Sequence, residues 1–134
     1  EVKLRVLVGA HVLSAGRGDE LLCRARAVRD AVAAAFATAF DGVDLLLWPT
    51  ADGPAFRRGA KVDDPVAMRL ADRWTVPVSL AGLPALTVPT GVGPDGLPLS
   101  AQLVGPRGSE ERLLAAGAAV EETWGVLPVA GGAP

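Results

Sequence analysis

Apolar residues recur at helical spacing along the first third of the chain. Between Glu20 and Phe40 most of them are three or four residues apart, which is the repeat of one face of an α-helix. This pattern predicts a long helix that Asp19 caps and Gly42 ends. The preceding segment, residues 1–13, mixes apolar and charged positions, and a short helix is favoured there over a strand.

Strand patterns follow in the rest of the chain. The apolar run Leu45–Leu47 predicts a central strand within Val43–Trp48, buried on both faces of a sheet. Apolar positions alternate over residues 97–104, which predicts a second strand after a turn at Asp95-Gly96. Prolines and glycines crowd residues 76–96 and leave room there only for a short strand near 85–88, with which the second strand can pair.

Two more helices complete the predicted elements. Asp63-Asp64-Pro65 predicts a helix running to about Arg73, in which the aspartates are capping residues rather than a metal or acid–base pair. Ser109 and the two glutamates after it predict a final helix, and residues 125–134 are expected to form a flexible tail. The predicted fold class is α/β, with α+β as the alternative, and helices cover a mixed sheet. Because a strand buried on both faces needs two neighbours, we expect strands outside this chain to complete the sheet.

Composition narrows the functional classes. The chain has 134 residues, of which 50% are hydrophobic, and a formal net charge of −2. These values indicate one globular domain and argue against direct binding of nucleic acid. No segment resembles a secretory leader or reaches the roughly 18 apolar residues of a membrane span. With a single cysteine and no membrane segment, we expect a soluble, unprocessed cytoplasmic protein.

Few side chains carry obvious chemistry. The only histidine, His11, lies next to Val12 and Leu13 and is interpreted as structural. Cys23 lies inside the long predicted helix and is expected to be a buried, inert thiol. No G-x-S-x-G elbow, glycine-rich phosphate loop or metal-ligand cluster occurs in the sequence. The residues themselves therefore indicate no complete catalytic centre and no cofactor or metal site.

The order of proline, glycine and acidic residues resembles a known family over nearly the whole chain, to about Glu122. The matching residues from Asp63 onward are Asp63-Asp64-Pro65, Asp72, Thr75-Val76-Pro77, Leu80-Ala81-Gly82-Leu83-Pro84, Val88-Pro89, Gly91, Gly96-Leu97-Pro98 and Gln102-Leu103-Val104-Gly105. Those upstream are Glu1-Val2-Lys3, Arg5, Leu13-Ser14, Gly16, Asp19, Ala25, Val28-Arg29, Phe40, Asp44, Pro49-Thr50 and Ala55-Phe56. The chain is similar, on these residues, to the C-terminal part of the amidase signature family.

The resemblance implies the C-terminal part of the amidase signature fold. Family members cleave a carboxamide with a serine nucleophile, a second serine in a cis peptide and a lysine. Those residues precede the matched segment in the family and are absent from this chain, whose lysines are Lys3 and Lys61. We therefore expect residues 1–124 to be the C-terminal segment of an amidase domain, inactive alone and partnered by the N-terminal part of that domain. No catalytic residue and no cofactor is expected in this chain.

Within the family the likeness is greatest to the amidotransferase branch. Its members release ammonia from glutamine to amidate Glu-tRNA(Gln) or Asp-tRNA(Asn), so glutamine and other amidotransferase subunits become expected partners. In this branch an arginine and an aspartate hold the carboxylate and the ammonium of glutamine. These positions fall on Arg5 and Asp72, and an arginine fork and a carboxylate suit those two groups.

Departures from this branch keep two alternatives open. The branch commonly has asparagine, cysteine and glycine where this chain has Ser79, Thr90 and Ser100. One alternative is a general amidase that acts on another amide, in which Arg5 and Asp72 are structural. The other is a non-catalytic assembly module, the product of truncation or of a split gene.

Overall fold

The computed structural model describes residues 2–14, 16 and 18–125 of the chain. Eight elements lie in this part: α1 (Val2–Ser14), α2 (Gly18–Ala39), β1 (Leu46–Pro49), α3 (Pro65–Leu70), α4 (Val76–Ala81), β2 (Ala85–Val92), β3 (Pro98–Val104) and α5 (Glu110–Trp124). Helix is confirmed for the first segment. Of the predicted tail, only Gly125 lies within the described residues, so the prediction of flexibility falls outside them.

The three strands form one antiparallel sheet in the order β1-β3-β2. Val104 of β3 lies opposite Leu46 on one side and Ala85 on the other, so β3 is the central strand. The predicted pairing of the strand over 97–104 with the preceding strand is confirmed. Among the described residues β1 lies at the edge of the sheet and Leu47 is 55% exposed, so a central position for the strand predicted within Val43–Trp48 stays a prediction that depends on strands outside this chain.

Helix α5 covers one face of the sheet and forms the main core. The buried residues of this core are Val88, Ala101, Leu103 and Leu113, with Leu45, Leu86, Ala116 and Val120 packed around them. Gly117 lets the helix approach closely, since a Cβ there would collide with the end of the Leu86 side chain. An ion pair of 2.6 Å between Arg112 and Asp44 ties α5 to the segment before β1.

The other face of β3 carries Gln102 and Val104, which are 5% and 0% exposed. Side chains alternate across a strand, so these two residues point away from the face that carries Ala101 and Leu103. The buried Gln102 amide donates a hydrogen bond of 3.2 Å from Nε2 to the carbonyl of Trp74. This bond fixes the segment between α3 and α4 to the centre of the sheet.

Residues 76–96 contain more helix and strand than the short strand that was predicted from their prolines and glycines. Helix α4 was not predicted. It forms because Pro77 occupies its first turn, where a missing N–H costs no helical hydrogen bond. Gly82, at φ 68°, ends this helix in the left-handed conformation. Strand β2 extends to Val92, since Pro89 lies in a strand at the edge of the described sheet and next to a shift of register at Gly91.

Of the three predicted helix caps, the one at α3 is confirmed, whereas those at α5 and α2 differ from the prediction. Asp64 caps α3 as predicted, its Oδ1 accepting from the backbone N–H groups of Val66 and Ala67 at 3.0 and 2.9 Å. Ser109 stands at the N-cap of α5, but its hydroxyl donates to the carbonyl of Pro106 at 2.6 Å instead of capping the helix. Asp19 lies in the first turn of α2 rather than before it, because that helix already begins at Gly18.

The first two helices expose most of their apolar residues. No residue of α1 or α2 is buried. Six of the seven large apolar side chains of α1 are between 50 and 76% exposed, at Val2, Leu4, Val6, Leu7, Val8 and Leu13, and the seventh, Val12, is half-buried. The prediction of a buried Cys23 thiol is therefore wrong: Cys23 is a free, exposed cysteine, because little of the described chain packs on α2. Within the described ranges, no helix is long and apolar enough to cross a membrane.

Candidate functional site

A groove of about 630 Å³ lies between α1 and the segment that leads into α3. Its lining residues are Leu4, Arg5, Lys61, Val62, Pro65, Met68, Arg69 and Asp72. Arg5 and Asp72, the two site residues predicted from the sequence, thus line the same groove although they are far apart in the chain. Their proposed roles in binding a substrate stay predictions.

Side chains on one face of helix α3 form one wall of the groove. Pro65, Met68, Arg69 and Asp72 occupy positions i, i+3, i+4 and i+7, so they share one side of the helix and its extension. Asp72 lies just beyond α3, and its backbone N–H donates to the carbonyl of Arg69 at 3.2 Å. The helical turn therefore presents Arg69 and Asp72 to the groove together.

The charge of the groove is predominantly positive. Three cationic side chains, Arg5, Lys61 and Arg69, line it with a single carboxylate, Asp72. The Lys61 ammonium lies 4.3 Å from the centre of the Phe56 ring, a cation–π contact that orients it. A ligand with a carboxylate for the cationic side chains and one positively charged group for Asp72 would complement this arrangement.

A second cavity of about 340 Å³ adjoins the groove. Asp72 and Lys61 line both spaces, so these two side chains form part of the boundary between them. The loop after β1, including Asp52 and Phe56, and the residues Pro98 and Ser100 of β3 form much of the remaining wall.

Asp52 connects this loop to the segment that follows Asp72. Its Oδ1 accepts a hydrogen bond of 2.6 Å from the Trp74 indole Nε1 and forms an ion pair of 2.6 Å with Arg73 Nη2. The Arg73 guanidinium in turn lies 5.1 Å from the centre of the Trp74 ring. The three side chains therefore hold one another in place beside the second cavity.

A larger groove of about 820 Å³ lies along the sheet and is mainly apolar. Its lining includes Leu47, Pro49 and Leu99, together with prolines and glycines of the neighbouring loops. Close to it, Trp48 Nε1 and Thr50 Oγ1 are buried without a hydrogen-bonding partner in the described structure. Such a surface suits contact with further polypeptide better than chemistry on a polar substrate.

The other sequence candidates lie apart from these grooves. His11 is exposed near the end of α1, and its backbone carbonyl accepts from the Ser14 hydroxyl at 3.2 Å. Cys23 is exposed on α2 and lines none of the grooves described above. In the part of the chain that the structure describes, no group of three or more His, Cys, Asp or Glu side chains could hold a metal ion.

Sequence reasoning missed Lys61, Arg69 and the Asp52 cluster. The helical spacing of Arg69 and Asp72 was a usable signal, because residues three apart on a helix share a face. Nothing comparable marks Asp52, which is 22 residues from Trp74 and meets it only after the chain has folded.

The family model described as Amidase matches residues 1–114. The chain belongs to the amidase family. The A subunit of glutamyl-tRNA(Gln) amidotransferase from Granulibacter bethesdensis is 50% identical over 122 residues, which are 91% of this chain and 24% of that protein. The corresponding protein from Parvibaculum lavamentivorans is 52% identical over 122 residues, 91% of this chain and 25% of that protein.

Solved structures agree with this membership in the amidase family. The crystal structure of the glutamyl-tRNA(Gln) amidotransferase A subunit from Thermotoga maritima superposes with a TM-score of 0.73 at 31% identity, covering 90% of this chain and 26% of that one. The predicted fold, part of the amidase signature fold, is thereby confirmed. The chain spans about a quarter of the length of the curated relatives it matches.

Proposed function

We propose that this chain is the C-terminal part of an amidase that hydrolyses the side-chain amide of glutamine. The released ammonia would serve the amidation of Glu-tRNA(Gln) or Asp-tRNA(Asn) in a cytoplasmic complex with other amidotransferase subunits. The role of the described residues is to bind the substrate. Cleavage would proceed by acyl transfer to a serine, with a second serine and a lysine, on polypeptide outside this chain.

One observation carries the proposal: Arg5 and Asp72 line the same groove. The two residues lie 67 positions apart in a chain with about 50% identity to amidotransferase A subunits. The excess of positive charge in the groove, from Arg5, Lys61 and Arg69, favours a substrate with a carboxylate over a neutral amide. This favours glutamine over the amides of a general amidase.

The two side chains complement the two charged groups of a free amino acid. The Arg5 guanidinium can donate two parallel hydrogen bonds to the substrate carboxylate, and the Asp72 carboxylate can accept from the ammonium. Holding both groups at the α-carbon directs the side-chain amide away from the groove wall and toward the nucleophile. The same two contacts would then both select glutamine and orient its side-chain amide.

The contacts between the groove and a substrate would become stronger if the rest of the domain covered the groove. Arg5 and Asp72 are both exposed in this chain, and ion pairs between exposed groups are weak because water screens them. The apolar residues of α1 and the apolar groove along the sheet supply surface for the missing part of the domain. Covering the groove would exclude water and strengthen each contact with the substrate.

Replacement of Arg5 in the full-length protein tests the proposal. We expect Arg5→Ala to lower kcat/KM for glutamine by about 10- to 150-fold, which corresponds to the loss of a charge-assisted hydrogen bond. Hydrolysis of propionamide, which has neither a carboxylate nor an ammonium, should stay within about twofold of the parent. Arg57→Ala is a matched control, because Arg57 is an exposed arginine that lines none of the grooves described above.

Each alternative predicts a different result. Unchanged glutamine kinetics in Arg5→Ala, or equal loss toward both amides, contradicts the binding role and favours a general amidase. A full-length protein that hydrolyses neither amide favours the assembly module.

A further inference from the structure

We propose that Asp52 is a positioning residue for Asp72 and thereby a determinant of affinity for the amino acid substrate. This inference rests on the proposed function, because it concerns the carboxylate that would receive the substrate ammonium. It assigns a role to Asp52 in the loop after β1, which does not itself line the groove that contains Arg5.

The Asp52 carboxylate contacts two side chains of the segment that follows Asp72. One oxygen, Oδ1, receives both the Trp74 indole N–H and the Arg73 guanidinium, each at 2.6 Å. The side chains of Asp52 and Arg73 are 46% and 52% exposed, so their ion pair alone would add little. The indole bond, made by a half-buried Trp74, gives the contact its direction.

Trp74 is held from two sides. Asp52 binds its indole, and the buried Gln102 amide donates to its backbone carbonyl at 3.2 Å. Gln102 belongs to the central strand β3 and is only 5% exposed, so its side chain is a fixed reference point. Loss of the Asp52 contact leaves the main-chain bond but frees the indole ring and Arg73.

Main-chain hydrogen bonds join the segment that contains Trp74 to Asp72. The backbone carbonyl of Asp72 accepts from the N–H groups of Thr75 and Val76 at 3.1 and 3.0 Å, and from the Thr75 hydroxyl at 3.3 Å. Residues 72–76 therefore form one hydrogen-bonded turn that contains Arg73 and Trp74, so freeing those two side chains loosens the turn that holds Asp72. Since an ion pair depends on a separation of a few ångströms, a small displacement weakens the hold on the ammonium.

A set of variants of the full-length enzyme separates positioning from general stability. We expect Asp52→Ala to raise KM for glutamine about threefold to tenfold, the range of one lost hydrogen bond, with kcat within about twofold. Asp52→Asn keeps an oxygen that can accept from the Trp74 indole, so its KM should lie between those of the parent and Asp52→Ala. Kinetics toward propionamide should not change in either variant.

The decisive comparison uses Asp72→Asn as the background. If Asp52 acts through Asp72, adding Asp52→Ala to Asp72→Asn changes KM for glutamine by less than about 1.5-fold. An equal rise in both backgrounds, or an equal loss toward propionamide, would mean that Asp52 only stabilises the fold and would overturn the inference.

The two proposals fail in different ways. If Asp72→Asn leaves KM unchanged, the proposed binding role of Asp72 is wrong, and this inference falls with it. If Asp72→Asn raises KM but Asp52→Ala does not, only the positioning role is wrong. Should Asp52→Ala fail to fold, the same comparison is made with Asp52→Asn, where an unchanged KM together with an unchanged propionamide rate refutes the inference.

Discussion

Gly117 provides a sharp test of how closely α5 packs on the sheet. It is buried in the helix, and a Cβ at this position would collide with Leu86 and lie 3.7 Å from Val88 Cγ1. Gly117→Val adds this atom and two methyl groups, and overpacking of this kind costs about 1–3 kcal/mol. Valine has the better helix propensity, which returns roughly 0.3–0.5 kcal/mol. We expect a net loss of stability of about 0.5–2.7 kcal/mol.

The matched control is Ala118→Val, on the exposed side of the same helix. It introduces the same side chain and should cost only about 0.5 kcal/mol of helix propensity. Urea unfolding of the full-length protein, followed by circular dichroism, measures both variants. Gly117→Val should unfold at a lower urea concentration than the parent, and the shift should be larger than that of Ala118→Val. Equal midpoints for the two variants would refute the close packing of α5 on β2.

Two further predictions concern the exposed apolar surface and the α3 cap. The isolated 134-residue chain should self-associate at micromolar concentrations in sedimentation velocity. Leu7→Lys, which places a charge among the exposed apolar residues of α1, should reduce that association. A monomeric parent chain that melts cooperatively would contradict this prediction. In the full-length protein, Asp64→Ala should lower the free energy of unfolding by about 1 kcal/mol, because it removes the cap of α3, whereas Asp63→Ala should change it by less than about 0.5 kcal/mol. Equal effects in thermal melts of the two full-length variants would contradict the capping role.

Local sequence signals predicted the elements that depend on short-range interactions. The apolar repeat over residues 20–40 and the Asp64-Pro65 start each correspond to a helix, because caps and periodicity act within a few residues. The turn at Asp95-Gly96 also forms, and Gly96 takes the positive φ of 77° that such a turn requires. Helix α4 and the full length of β2 were missed, because a proline's effect depends on where it falls in an element.

Tertiary contacts decided burial. The run at Leu45–Leu47 indicated a central strand, yet β3 holds the centre and β1 the edge among the described residues. Cys23 was expected to be buried, yet α2 exposes it. A run of apolar residues records only that some surface must be covered, and the covering polypeptide can lie outside the segment.

The sequence by itself determined membership in the amidase family, the positions of most helices and strands, and the choice of Arg5 and Asp72 as candidate site residues. The positions of the elements follow from local periodicity and capping along a single chain, whereas the family and the two candidate site residues follow from the resemblance of an ordered set of residues to the amidase signature family. Only the tertiary structure brought Arg5 and Asp72 to one groove, added Lys61 and Arg69, and joined Asp52 to Trp74. Contacts between residues distant in sequence depend on how the elements pack, and no pattern within one segment encodes them.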